Sequence, residues 1–231
     1  MKQFTIKIIA ACAIIASAGV GFHAQAREGV EVGGNSKLSR LVPADQVEQA
    51  ATQQYGEVLA QARAQNALAP DNHPQVVKLR AIAQKIIPHA LAWNPRAKDW
   101  KWEVNLIGSK QINAFCMPGG KIAFYTGILD ELKLTDDEIA MIMGHEVAHA
   151  LREHARERMA KNVATRAGAS LLSGLLGLGG TGDALMNMGG QLLTLRFSRG
   201  DESEADLVGM ELAARAGYNP NAGVSLWQKM G

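Results

Sequence analysis

The sequence predicts an α+β fold: a mostly helical domain, a small β-sheet beside one apolar helix, and a cleft between them. Three observations carry that expectation. Apolar residues recur at helical spacing over long stretches between residues 43 and 217. Only residues 100–125 alternate with the period of strands. The helix opening after Thr135 is apolar through "IAMIM", yet it carries "HEVAH" in its middle. In an interior helix such polar groups either serve a purpose or are a costly accident.

Residues 1–26 are read as a secretory signal peptide. Lys2 and Lys7 precede an apolar run from Ile8 to about Val20, and Ala24-Gln25-Ala26 offers cleavage after Ala26. Ile9-Ala10-Ala11-Cys12 also has the look of a lipobox, but too little apolar sequence precedes Cys12 to fill a signal core. A lipoprotein or an uncleaved anchor is therefore the weaker fit. Residues 27–42 have no period and contain three glycines, as a flexible leader would. Residues 43–231 are long enough for one domain with a real core.

Within that domain the first helix follows Pro43, with Val47, Ala51, Tyr55, Val58 and Ala62 on one stripe. "ALAPDNHP" ends it, and Val76, Leu79, Ala83, Ile86 and Ile87 mark a second. In "DWKWEVNLIG", Trp100, Trp102, Val104 and Leu106 alternate with polar residues, the pattern of a half-buried strand. "QINAFCMPGGKIAFYTG" predicts two short strands joined at Pro118-Gly119-Gly120. Thr135 and Glu138 form a capping box that opens the apolar helix. Residues 168–190, rich in glycine and leucine, read either as a helix-loop-helix or as a flap over a cleft. Asp183 and the paired glycines rule out a membrane span there. "RGDESEADLVGMELAARAG" is helical to about Gly217, and a short last helix follows Asn221.

Composition excludes some functions. Hydrophobic residues are 47% and charged residues 20%, which fits a globular chain. The net charge of +2 resides in Lys2 and Lys7, so the chain from Arg27 on is neutral and offers no basic surface for nucleic acid. Cys116, alone after cleavage and flanked by Phe115 and Met117, is expected to be buried filler.

His145 and His149 lie four apart, on one helical face, where two imidazoles can direct a nitrogen each at one zinc ion. Glu146 lies beside them, placed to take a proton from water and not to bind metal in the same way. A His-Glu-x-x-His match arises by accident in on the order of one chain in a hundred of this length, so it is a strong signal. A catalytic zinc needs a third protein ligand. "SRGDESEAD" offers Glu202, Glu204 and Asp206; Glu202 and Asp206 share a face, while Glu204 points nearly opposite. A ligand carboxylate followed one turn later by one that orients a histidine would suit that pair. The plainer alternative is a solvated acidic helix start. His154 falls on the far side of the helix if that helix continues, which makes it structural or partly exposed. His73 and His89 read as structural, and Tyr125 and Arg199 are candidates for stabilising an oxyanion.

Three segments together resemble the HtpX-like zinc endopeptidases, a family with periplasmic BepA- and LoiP-type members and mitochondrial OMA-type members. They are "NAFCMPGGKIAFYTGIL", "HEVAH" and "SRGDESEADLVG", in the family order across residues 110–220. The resemblance implies a zincin-like fold with one Zn2+ per subunit. It assigns the third ligand to Glu202 and an orienting role to Asp206. HtpX has several membrane-spanning helices where this chain has one apolar N-terminal segment, and no repeat like the C-terminal one of BepA-type members is found within the 231 residues. The soluble periplasmic branch is the expectation.

The function so implied is zinc-dependent cleavage of internal peptide bonds in unfolded or misassembled cell-envelope proteins, with peripheral contact to the envelope membrane or assembly machinery possible. The strand around Asn113, Ala114 and Phe115 is expected to bind substrate as an added strand, since backbone pairing suits many sequences. An interior strand paired on both edges is the rival. A zinc-stabilised binding module is the alternative to an enzyme, but a closed structural site would have no need of Glu146 as a base.

Overall fold

The computed structural model describes residues 29–175, 192, 193 and 195–230. The signal-peptide reading of residues 1–26, Cys12 included, and the part of the Gly/Leu-rich stretch beyond Leu175 lie outside these residues. The fold is α+β and mostly helical. Helices α1 (Ala44–Ala64) and α2 (Pro74–Ile86) precede strands β1 (Glu103–Ile107), β2 (Ala114–Met117) and β3 (Lys121–Tyr125). Helices α3 (Thr126–Leu132), α4 (Asp136–Leu151), α5 (His154–Leu175), α6 (Arg199–Arg215) and α7 (Ala222–Met230) follow.

The predicted hairpin is present, with Gly119 and Gly120 at φ +85° and +77°, a left-handed turn that side chains resist. The sheet order is β1-β3-β2, with β1 parallel to β3 and β2 antiparallel to it. The outer side of β1 is partly closed by a bridge from Leu68 to Ile107. Among the described residues no strand pairs with the outer side of β2, so β2 is an edge. Its register decides what that edge presents. Tyr125 N–H donates to Asn113 O at 3.1 Å, and Phe115 lies opposite Ala123. In the antiparallel alternation, Phe115 therefore bonds to β3, while Ala114 and Cys116 turn their N–H and C=O groups outward.

The half-burial expected of the first strand holds for β1, where exposed Glu103 and half-buried Asn105 alternate with buried Val104 and Leu106, whereas β2 and β3 are buried on both faces. Val104, Leu106, Ala114, Cys116, Ile122 and Phe124 join one core with α2, α4 and α6. Phe115, Met117 and Ala123 join a second with Val47, Ala51 and Tyr55 of α1. Asn105, read as a solvent-side residue, instead donates to Tyr55 Oη at 3.0 Å, and Tyr55 donates to Ile122 O at 2.5 Å. Those bonds satisfy polar groups under α1 and pin the helix to the sheet. The leader also has contacts with the body: Val30 N–H donates to Glu211 at 2.7 Å and Arg156 donates to Val42 O at 2.6 Å.

Candidate metal centre

Helix α4 begins at the predicted capping box: Thr135 Oγ1 accepts from Glu138 N–H at 3.3 Å, and Glu138 accepts from Thr135 N–H at 2.8 Å. The helix is buried along most of its length and ends at Leu151. Helix α6 crosses it at two glycines. A Cβ built on Gly144 would lie 2.5 Å from Gly209 O, and one on Gly209 would lie 2.5 Å from His145 N. Only hydrogen fits at both positions. That close approach brings carboxylates of α6 to the histidines of α4.

His145 Nδ1 lies 2.8 Å from Asp206 Oδ1, and its Nε2 lies 3.4 Å from Glu202 Oε2. His149 Nε2 is 3.1 Å from His145 Nε2 and 3.8 Å from Glu202 Oε2. The three potential ligand atoms of His145, His149 and Glu202 thus lie within 4.8 Å of one another. Tetrahedral zinc with bonds of about 2.0–2.1 Å sets its ligand atoms roughly 3.3 Å apart, close to this spacing. Two bare Nε2 lone pairs at 3.1 Å would repel each other; a shared cation reconciles them. The donor set, two imidazoles and one carboxylate, is one that zinc accepts.

Burial, with the charges of His145 and His154 beside it, pushes the pKa of His149 down to about 2, so its ring is neutral and able to ligate. Burial and the charge of Glu202 push the Glu146 carboxyl up to about 8. Glu146 lines a cavity of about 460 Å³ together with His145, Glu202 and Asp206. Most of the remaining wall is apolar: Ile112, Met141, Met210, Val224, Trp227 and Met230. Several of these apolar residues are exposed, Val224 and Trp227 by more than 60%.

Of the predicted substrate-binding residues, Asn113 and Ala114 line this cavity. Phe115 does not; its ring turns to the other face of the sheet, against Tyr55 and Tyr125. Tyr125 and Arg199, considered for an oxyanion, are not among the cavity's lining residues. Cys116 is buried and unbridged, and burial pushes its thiol pKa well up. His73 caps α2, accepting from Gln75 N–H at 3.3 Å.

His154 is a correction. The far-side reading required a continuous helix, but α4 stops at Leu151, and Glu153 takes φ +58° before α5 begins. The turn swings His154 back under the site, where it is buried with its Nδ1 2.9 Å from His149 Nδ1. The ring of Phe197 stacks on His149 at 4.2 Å. Glu204, nearly opposite Glu202 on α6 as expected, pairs with Arg152. Sequence reasoning also missed the paired glycines and the α7 wall; only the exposed apolar stripe of Val224, Trp227 and Met230 could have pointed to the latter.

The family model for peptidase family M48 matches residues 75–231. The chain belongs to peptidase family M48. Within the span matched to the M48 model lie His145, Glu146, His149, Glu202 and Asp206. The M48 chain is 38% identical over 130 residues to the mitochondrial metalloendopeptidase OMA1 of Arabidopsis thaliana, covering 56% of this chain and 26% of that protein. It is 29% identical over 166 residues to the metalloprotease LoiP of Escherichia coli, covering 71% and 62% respectively. The beta-barrel assembly-enhancing protease of Yersinia pestis is 29% identical over 140 residues, covering 54% and 27%. This chain therefore spans between 26% and 62% of the length of these relatives. Both the OMA-type and the bacterial resemblances read from the motifs are met in these M48 relatives.

Proposed function

We propose that this M48 chain is a zinc-dependent endopeptidase that hydrolyses internal peptide bonds of unfolded or misassembled proteins in the cell envelope. The observation that carries the reading is the convergence of His145, His149 and Glu202 at one end of an apolar cavity that also holds Glu146. Bound there, zinc would supply a Lewis acid for the scissile carbonyl and acidify a water. Asp206 accepts the Nδ1 proton of His145 and so turns Nε2 toward the metal. Glu146 takes the proton of the attacking water and returns it to the leaving amine.

Two features support an unfolded substrate. Ala114 and Cys116 turn backbone groups to the edge of β2 that no described strand pairs with, and an extended peptide could pair there. The apolar cavity beside that edge suits the side chains that unfolded proteins expose. An envelope location is supported by the signal-like residues 1–26 and by the likeness to a beta-barrel assembly-enhancing protease. The direct test is digestion of a chemically denatured protein and of its native form by the zinc-loaded chain. Cleavage of the denatured form alone, abolished by a chelator and restored by zinc, is expected. No cleavage of either with one zinc bound would overturn the assignment.

A further inference from the structure

His149 lacks what His145 has. Asp206 receives the Nδ1 proton of His145, whereas among the described residues no carboxylate stands at Nδ1 of His149; His154 stands there instead, at 2.9 Å. The rings of His149 and His154 are both buried. We propose that His154 is the positioning residue of His149: its unprotonated Nδ1 accepts the Nδ1 proton of His149 and thereby fixes Nε2 toward the metal. This rests on the zinc reading of the site.

The geometry fixes each tautomer in turn. Ligation through Nε2 leaves the proton of His149 on Nδ1, where it needs an acceptor. Nδ1 of His154 then carries a lone pair, and the proton of that ring must sit on Nε2. Nε2 is buried and has no hydrogen-bond partner among the described residues, but Glu204 Oε2 lies 3.7 Å away. That is too long for a hydrogen bond, yet a carboxylate at this distance favours the proton there over the other nitrogen. Arg152, which pairs with Glu204 and also donates to Gly33 O, holds the carboxylate in place. Phe197 fixes the plane of His149 by stacking, and His154 fixes its rotation within that plane. The break between α4 and α5 at Glu153 is what delivers His154 to this position.

The test compares His154→Asn, whose side-chain oxygen can stand where Nδ1 stood, with His154→Leu, which fills the space without an acceptor. Zinc dissociation constants are measured on the full chain by competition with a chelator, alongside the Tm of the metal-free proteins. Loss of an orienting partner weakens metal binding by about 10–100-fold, and this is expected for His154→Leu, with His154→Asn close to wild type. A purely structural role would lower both metal-free Tm values and leave zinc affinity unchanged. Two-bond proton–nitrogen NMR on the zinc-loaded wild type is expected to show His149 protonated at Nδ1 and His154 at Nε2. Wild-type affinity in His154→Leu, or a proton on Nδ1 of His154, overturns the proposal. Should His154→Leu not fold, the NMR assignment and His154→Asn decide: zinc affinity in His154→Asn reduced about as far as 10–100-fold overturns it too. A wild-type chain that binds no zinc overturns the zinc reading itself, which separates the two failures.

Discussion

Glu146 has two surroundings to answer to: the cavity that it lines and Glu202 beside it. The amide in Glu146→Gln keeps the shape but accepts no proton, so kcat is expected to fall by at least about a hundredfold. Zinc content, measured by atomic emission, should stay at wild-type level; equal digestion by wild type and variant would remove Glu146 from the chemistry. Glu202→Ala is expected to lose the metal, whereas Glu204→Ala should retain it with weaker affinity. Metal analysis of the two variants checks this, and loss only in Glu204→Ala would reverse the ligand assignment. His145 and His149 were legible because their spacing alone puts them on one helical face, and Glu146 because it directly follows the first of them. Glu202 was legible because a turn of helix separates it from Asp206. His154 was not, because its place depends on α4 stopping at Leu151 and on a glutamate in left-handed backbone, which no local signal announces.

At the scale of elements, the crossing of α4 and α6 governs the site. Gly209→Ala would press a methyl against the backbone of His145; overpacking of this kind costs about 1–3 kcal/mol. The expected signature is a lower urea midpoint together with weaker zinc binding, since the displaced helix carries Glu202 and Asp206. Unchanged zinc affinity would show that the crossing does not set the site. Ala114→Pro addresses the open edge. Its N–H faces outward and not toward β3, so the variant should fold, keep zinc and show a raised KM for unfolded protein. Unchanged KM and kcat would exclude this edge. The Thr135–Glu138 capping box and the Pro-Gly-Gly hairpin could be read because they are local. The glycine pair could not, since Gly144 and Gly209 acquire their meaning only when two distant helices touch.

For the whole molecule, α7 is both a wall of the cavity and an element fastened through one buried carboxylate. Glu138 accepts from Lys229 at 2.6 Å, Ser225 at 2.8 Å and Thr135 N–H at 2.8 Å. Burial raises its pKa, but those three donors outweigh it and pull the carboxyl from 4.5 down to about 2. A depressed pKa stabilises the fold fully above the unfolded value near 4.5, and the gain is lost as pH falls toward 2. Glu138→Gln should be less stable by about 2 kcal/mol at neutral pH. Urea unfolding across that acid range should show the gap to wild type closing; a constant gap would deny the carboxylate its role. The α+β class was legible from two periodicities. The burial of β2 and β3 on both faces could be read from the continuous apolar runs AFCM and IAF, but not that α1 covers the second face, because no local pattern names a distant partner.

The outward groups of Ala114 and Cys116 recur at roughly 6.6 Å, the repeat of alternate residues in an extended chain. A helical segment rises only about 1.5 Å per residue and has already committed its amides. Such an edge would screen for availability and not for any chemical mark of damage. Cleavage of a native protein would then follow the equilibrium population of its locally open form. A ligand that holds a client closed would protect it in proportion to binding energy, and a destabilised variant of the same client would be consumed first.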